Sequence, residues 1–147
     1  MAQLSDFASL LASERHIAVV CTSRADGSVQ ASIANAGVLD HPVGGAPIAA
    51  VVARGDALKV RHWRRDPRAT LVAQSGYQWA TVEGTVELVG PDDPLDGVDP
   101  AGVPELLRDV FRAAGGTHDD WATFDRVMAE ERRVAVLVTP TRVYSNE

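Results

Sequence analysis

Residues 68–89, RATLVAQSGYQWATVEGTVELV, decide the fold. They read as two strands, Arg68 to Ser75 and Gln78 to Val89, with only Gly76-Tyr77 between them. Strands joined that tightly pair antiparallel, because a parallel crossover needs a dozen or more residues and usually a helix. Gly84 interrupts the second run and predicts a bulge in a long, bent strand.

Working outward, the same grammar recurs. Upstream, His16 to Ser23 (HIAVVCTS) is short and β-branched, Ala-Asp-Gly-Ser at 25–28 is a hairpin signal, and a return strand runs from Val29 to about Val38. After the Pro- and Gly-rich connection 40–47, Ile48 to Ala53 (IAAVVA) is a further strand. Ser5 is placed to cap a first helix over Asp6 to Ala12, and Asp56 to cap a second over 57–65 that Asp66-Pro67 ends. Downstream, GPDDPLDGVDP at 90–100 is a loop. Pro104 to Ala114 and a stretch after Thr117, read with Asp120 as a capping box, to about Glu131 are helices. Arg133 to Thr139 and Thr141 to Tyr144 give a last strand or a bent pair around Pro140. Six or seven strands with few helices between them exclude a doubly wound parallel sheet, so the expected class is mostly β with flanking helices (α+β), an antiparallel barrel.

The 147 residues suffice for one domain, expected to span 1–147, with 46% hydrophobic and 23% charged residues. No apolar stretch reaches the length of a membrane span, and MAQLSDFASLLASERH lacks the basic head and cleavage site of a signal peptide, so a cytoplasmic location is expected. Fourteen basic against 20 acidic side chains give a net charge of -6, which disfavours a nucleic-acid binder. The four histidines are dispersed and no nucleophile motif occurs, so neither a metal site nor a catalytic triad is expected. Cys21, mid-strand in an apolar run, reads as inert core packing.

Against this acidic background, RGDALKVRHWRRDPR at 54–68 gathers six of the 14 basic residues. A strand leads there into a helix whose first turn offers free N–H groups beside Lys59, an arrangement suited to a phosphate. The competing reading is a solvated basic face. Trp63 reads as a ring packed against the barrel, with a ligand platform as the alternative.

These segments also carry a resemblance. The hairpin Asp26-Gly27, the helix KVRHWRRDPRATL, the aromatic pair leading into VEG, HDDWATFDRVMAEERR, RRVAVLV and a closing VY together resemble the split-barrel family of pyridoxamine 5'-phosphate oxidase-like flavin and deazaflavin enzymes, over about Leu10 to Tyr144. The likeness is strongest to the actinobacterial branch that uses coenzyme F420. It implies a six- to seven-stranded split β-barrel, FMN-binding-like, and a homodimer with cofactor sites at the subunit interface.

Carried over residue by residue, the resemblance assigns Lys59 to the cofactor's phosphate and Arg64 and Arg65 to its acidic tail. Relatives often have a basic residue two positions before that lysine. Here Ala57 stands there, and Arg54 is the substitute. Ser32, Ile33, Asn35 and Ala36 would lie along the ring, Val52 and Ala53 at the end of the strand leading to the lysine helix, and Tyr77 and Trp79 would close the cleft from the second subunit. No catalytic side chain is expected, since the cofactor would carry the hydride. The implied activity is hydride transfer from reduced F420 to an enone, quinone or related conjugated small molecule. FMN-dependent chemistry on the same fold, or a carrier of flavin, F420 or haem, are the alternatives.

Overall fold

The computed structural model describes residues 2–146. Six strands form an antiparallel barrel: β1 (Ile17–Ser23), β2 (Val29–Asp40), β3 (Pro47–Ala53), β4 (Arg68–Ser75), β5 (Gln78–Val89) and β6 (Val134–Ser145). Their order around the barrel is β1-β2-β3-β6-β5-β4, and β1 pairs β4 to close it. The pair Arg68–Ser75 and Gln78–Val89 behaves as its sequence requires, with Ala73 opposite Ala80 and Leu71 opposite Val82.

The last strand is continuous, so the barrel has six strands and not seven. Pro140 cannot donate a ladder hydrogen bond, and it sits where the β5–β6 register shifts, between Glu83↔Arg142 and Gly84↔Pro140. Thr141 is the extra residue of this bulge, its hydroxyl donating to Glu83 O at 3.1 Å. Gly84 is required there, because a Cβ would collide with the Thr139 carbonyl.

Period-2 side chains fill the interior with Ala18, Val20, Val51, Leu71, Val82, Val136 and Val138, all buried. Helix α1 (Leu4–Ser13) sends Phe7 and Leu11 into one end of this core; α2 (Leu58–Arg65) sends in Val60 and Trp63. The two helices mark opposite ends. Glu14, just after α1, accepts from Ser75 Oγ at 2.8 Å, whereas Trp63 Nε1 of α2 donates to Arg68 O at 3.2 Å, the other terminus of β4. Trp63, only 1% exposed, is thus a packing residue.

A second core lies outside the barrel, where α3 (Val103–Ala113) and α4 (Trp121–Glu130) cover the outward side chains of β3 and β6. Leu106, Leu107, Val110 and Phe124 meet Ile48, Ala50, Ala135 and Leu137. Close approach of α3 to β2 depends on Gly37, since a Cβ there would overlap the Ala113 backbone.

Three expected caps are corrected. Helix α1 starts after Gln3, not Ser5, because the Asp6 carboxylate accepts the Gln3 N–H at 2.7 Å and draws the start back by two residues. Helix α2 follows Ala57, while Asp56 turns to Arg54 at 3.4 Å. Helix α4 is capped by Asp120 accepting from Thr123 N at 3.1 Å, so Thr117 lies outside it.

Candidate functional site

The barrel wall opens along β2. This strand pairs β1 throughout Val29 to Asn35, but its ladder with β3 runs only from Ala36↔Val51 to Asp40↔Pro47. Beyond Val51, β3 continues to Ala53 on the β6 side alone. The Ala36 N–H donates to His16 O, on the β1 side, at 2.8 Å. By the alternation of an antiparallel ladder, Asn35, Ile33 and Ala31 therefore turn their N–H and C=O groups toward the opening. Continuing the Ala36↔Val51 register sets Ile33 and Ala34 opposite Arg54 and Ala53.

Lys59 lies in the first turn of α2, six residues after β3 ends. The helix has no side-chain cap, and while Val60 and Arg61 donate to Ala57 O, the Leu58 and Lys59 N–H groups have no backbone acceptor among the described residues. The Lys59 side chain is half-buried. Burial first, and then the Arg133 charge nearby, hold its ammonium below the ordinary lysine range. Among the described residues it forms no ion pair, although every other cation placed at the site by the sequence is engaged. Arg54 meets Asp56 at 3.4 Å and Glu131 at 3.5 Å. Arg64 grips Asp93 through two hydrogen bonds of 3.0 and 2.7 Å and donates to Gly55 O at 3.1 Å. Arg65 donates to Ser23 O. A half-buried cation beside a second cation, without a carboxylate, is an electrostatic cost that an anion would relieve.

The β2 residues divide by parity. Ile33 points outward and is 62% exposed, and Asn35 donates from its amide to Arg15 O at 3.0 Å. Ser32 points inward, and its hydroxyl is buried without a hydrogen-bond partner, a polar orphan in a wall otherwise well satisfied. Ala36 and Ala53 are sealed in the barrel core, so only their backbone is available to a ligand, and Val52 packs against the α3/α4 cluster. By backbone register Arg54, Ile33 and Asn35 border one opening, and Lys59 follows five residues after Arg54.

Tyr77 and Trp79 are not gathered with them. They lie at the α1 end, where Tyr77 is 97% exposed in the β4–β5 turn and Trp79 meets Tyr144 edge-on at 6.0 Å, the Trp79 N–H donating to Asn146.

Two features escaped the sequence reading. Arg133, the cation that depresses Lys59, stands 74 positions later in the chain and nothing local marks it. Cys21 is the other: it is partly buried on the outer face of β1, outside the barrel core, and burial pushes its thiol up, away from the thiolate. A signal existed for that face. Ile17, Val19 and Cys21 alternate with Ala18 and Val20, so β1 is apolar on both sides, the pattern of a strand covered twice. Among the described residues no helix is long and apolar enough to cross a membrane.

No protein-family model matches the chain. Solved structures do share the fold. An F420 reductase is similar at 18% identity and TM-score 0.61, over 94% of this chain and 95% of its own. A pyridoxamine 5'-phosphate oxidase-related, FMN-binding protein from Nostoc punctiforme is similar at 11% identity and TM-score 0.64, over 99% and 86%. A haem-binding protein from Mycobacterium smegmatis is similar at 18% identity and TM-score 0.62, over 99% and 54%. The architecture is that of the pyridoxamine 5'-phosphate oxidase-like split barrels.

Proposed function

We propose that the opening beside β2 holds a flavin-type redox cofactor by its phosphate, with reduced F420 as hydride donor to an enone, quinone or related conjugated small molecule, and FMN as the alternative occupant. The observation that carries this reading is Lys59: half-buried, without a carboxylate, at an uncapped helix start. The residues fit such a group, since the Leu58 and Lys59 N–H groups and the ammonium form one donor set for a phosphate, and the Ser32 hydroxyl remains to be satisfied. When bound, the cofactor supplies the hydride. The chain's own residues bind and orient. Lys59 neutralises the anionic group, the backbone of Asn35, Ile33 and Ala31 presents donors and acceptors along the opening, and the Ile33 side chain offers a flat ring an apolar surface. Arg64 and Arg65 serve an acidic tail only if they exchange Asp93 and the Ser23 carbonyl for it.

A second copy of the chain completes this reading. Ile17, Val29 and Ile33 are 42%, 60% and 62% exposed on one outer face, and a homodimer buries them while bringing Tyr77 and Trp79 from the partner over the cofactor.

Titrating the wild type and Lys59→Ala with F420 tests the site. A desolvated charge-assisted contact contributes about 1.5–3 kcal/mol, so affinity falls roughly tenfold or more. Unchanged affinity rejects the assignment. Absorbance after incubation with F420, FMN, FAD and haem ranks the cofactors. Oxidation of reduced F420 by a panel of enones and quinones separates an enzyme from a carrier, which binds without turnover.

A further inference from the structure

A cavity of about 260 Å³ lies between the 90–100 loop and the facing surfaces of α3 and α4, with Arg133 at its rim. Its walls are apolar: Leu95 and Val98 from the loop, Val103 and Leu107 from α3, Met128 from α4. It opens to solvent along one side. Here the wall is braced. Arg64 holds Asp93 at 2.7 Å and Arg132 grips Asp92 through paired hydrogen bonds, so the loop is strapped at two successive residues to α2 and to the turn before β6. Prolines at 91, 94, 100 and 104 stiffen the same wall.

The polar groups at the rim are nearly balanced. Asp93 is neutralised by Arg64, and Asp125 by Arg108, whose Nε–H donates to it at 3.0 Å. Arg133 is the exception. Glu131 takes its Nε and Nη2 groups at 2.9 and 2.8 Å, which among the described residues leaves Nη1 at the cavity rim without a partner. A guanidinium with spare N–H groups donates and cannot accept. We infer that this cavity is a second small-molecule site, for a compact one- or two-ring apolar ligand that presents a carbonyl or similar acceptor oxygen to Arg133. Met128, flexible and polarisable, adapts the wall to the ring. The cavity shares Arg133 with the surroundings of Lys59, but the inference does not require the proposed cofactor.

Acetonaphthone, a two-ring aryl ketone, is the probe. Titrated into the full chain labelled at methionine and leucine methyls, it shifts the Met128 and Leu107 signals saturably, and naphthalene, lacking the oxygen, binds about tenfold more weakly, the equivalent of one hydrogen bond. Ala129→Trp fills the cavity from its exposed rim without touching the core and abolishes the shifts. Absence of shifts at Met128, equal binding to Ala129→Trp, or equal binding of naphthalene would each overturn the assignment.

Discussion

The two outer faces of the barrel are built from the same kind of strand and end differently. On β3 and β6, the outward residues Ile48, Ala50, Ala135 and Leu137 are at most 1% exposed, because α3 and α4 lie over them. On β1 and β2, Ile17, Val29 and Ile33 point outward just as regularly and stay in contact with solvent. Charges follow the same division. Around the helical side Arg108, Arg64 and Arg132 each hold a carboxylate, while Lys59 has none among the described residues. The chain completes one side by itself and leaves the other to be completed from outside, by a second copy and an anionic ligand in the reading proposed above.

That contrast breaks or sharpens most strongly through Leu137→Ala on the covered face. Removing a fully buried leucine costs about 2–5 kcal/mol, read as a lowered urea midpoint. A cost near zero would mean that α3 and α4 do not pack as described. Ile33→Asp on the bare face is expected to leave protomer stability within about 0.5 kcal/mol, yet to convert a micromolar dimer to monomer in sedimentation velocity. A wild type that is already monomeric at that concentration removes the second copy from the account.

The smallest effect is a pH profile. The Lys59 ammonium is the binding form, present below its pKa and lost as pH rises through it, and burial has moved that pKa down. F420 affinity therefore weakens on the alkaline side, beginning below the ordinary lysine value of about 10.4, and the bound anion shifts the onset upward again. Lys59→Arg, which stays charged, flattens the profile. An equal alkaline loss in both proteins would assign it to another group.

Much of the barrel was legible because its signals are local. The strands at 68–75 and 78–89, the bulge at Gly84 and the core role of Trp63 follow from period-2 patterning, a two-residue connection and an apolar ring in a basic helix. Caps were misread for a competitive reason: Asp6 and Asp120 each reach a backbone N–H three residues away, and the nearest such bond, not the nearest serine or threonine, sets the first turn. The candidate site was legible in its residue types and not in their pairing. Six clustered cations look equivalent in sequence, but only their partners at Asp56, Asp93 and Glu131 distinguish an arginine that braces a loop from a lysine that awaits an anion.

The order of residues alone therefore determined that this chain is an antiparallel barrel with a basic helix after its third strand, since hydrophobic period, turn chemistry and connection length act between near neighbours. Tertiary structure alone decided where the wall parts between β2 and β3, which outer face the helices cover, and that Arg133 stands beside Lys59. Each of those depends on contacts between residues distant in sequence, whose energies no local pattern records.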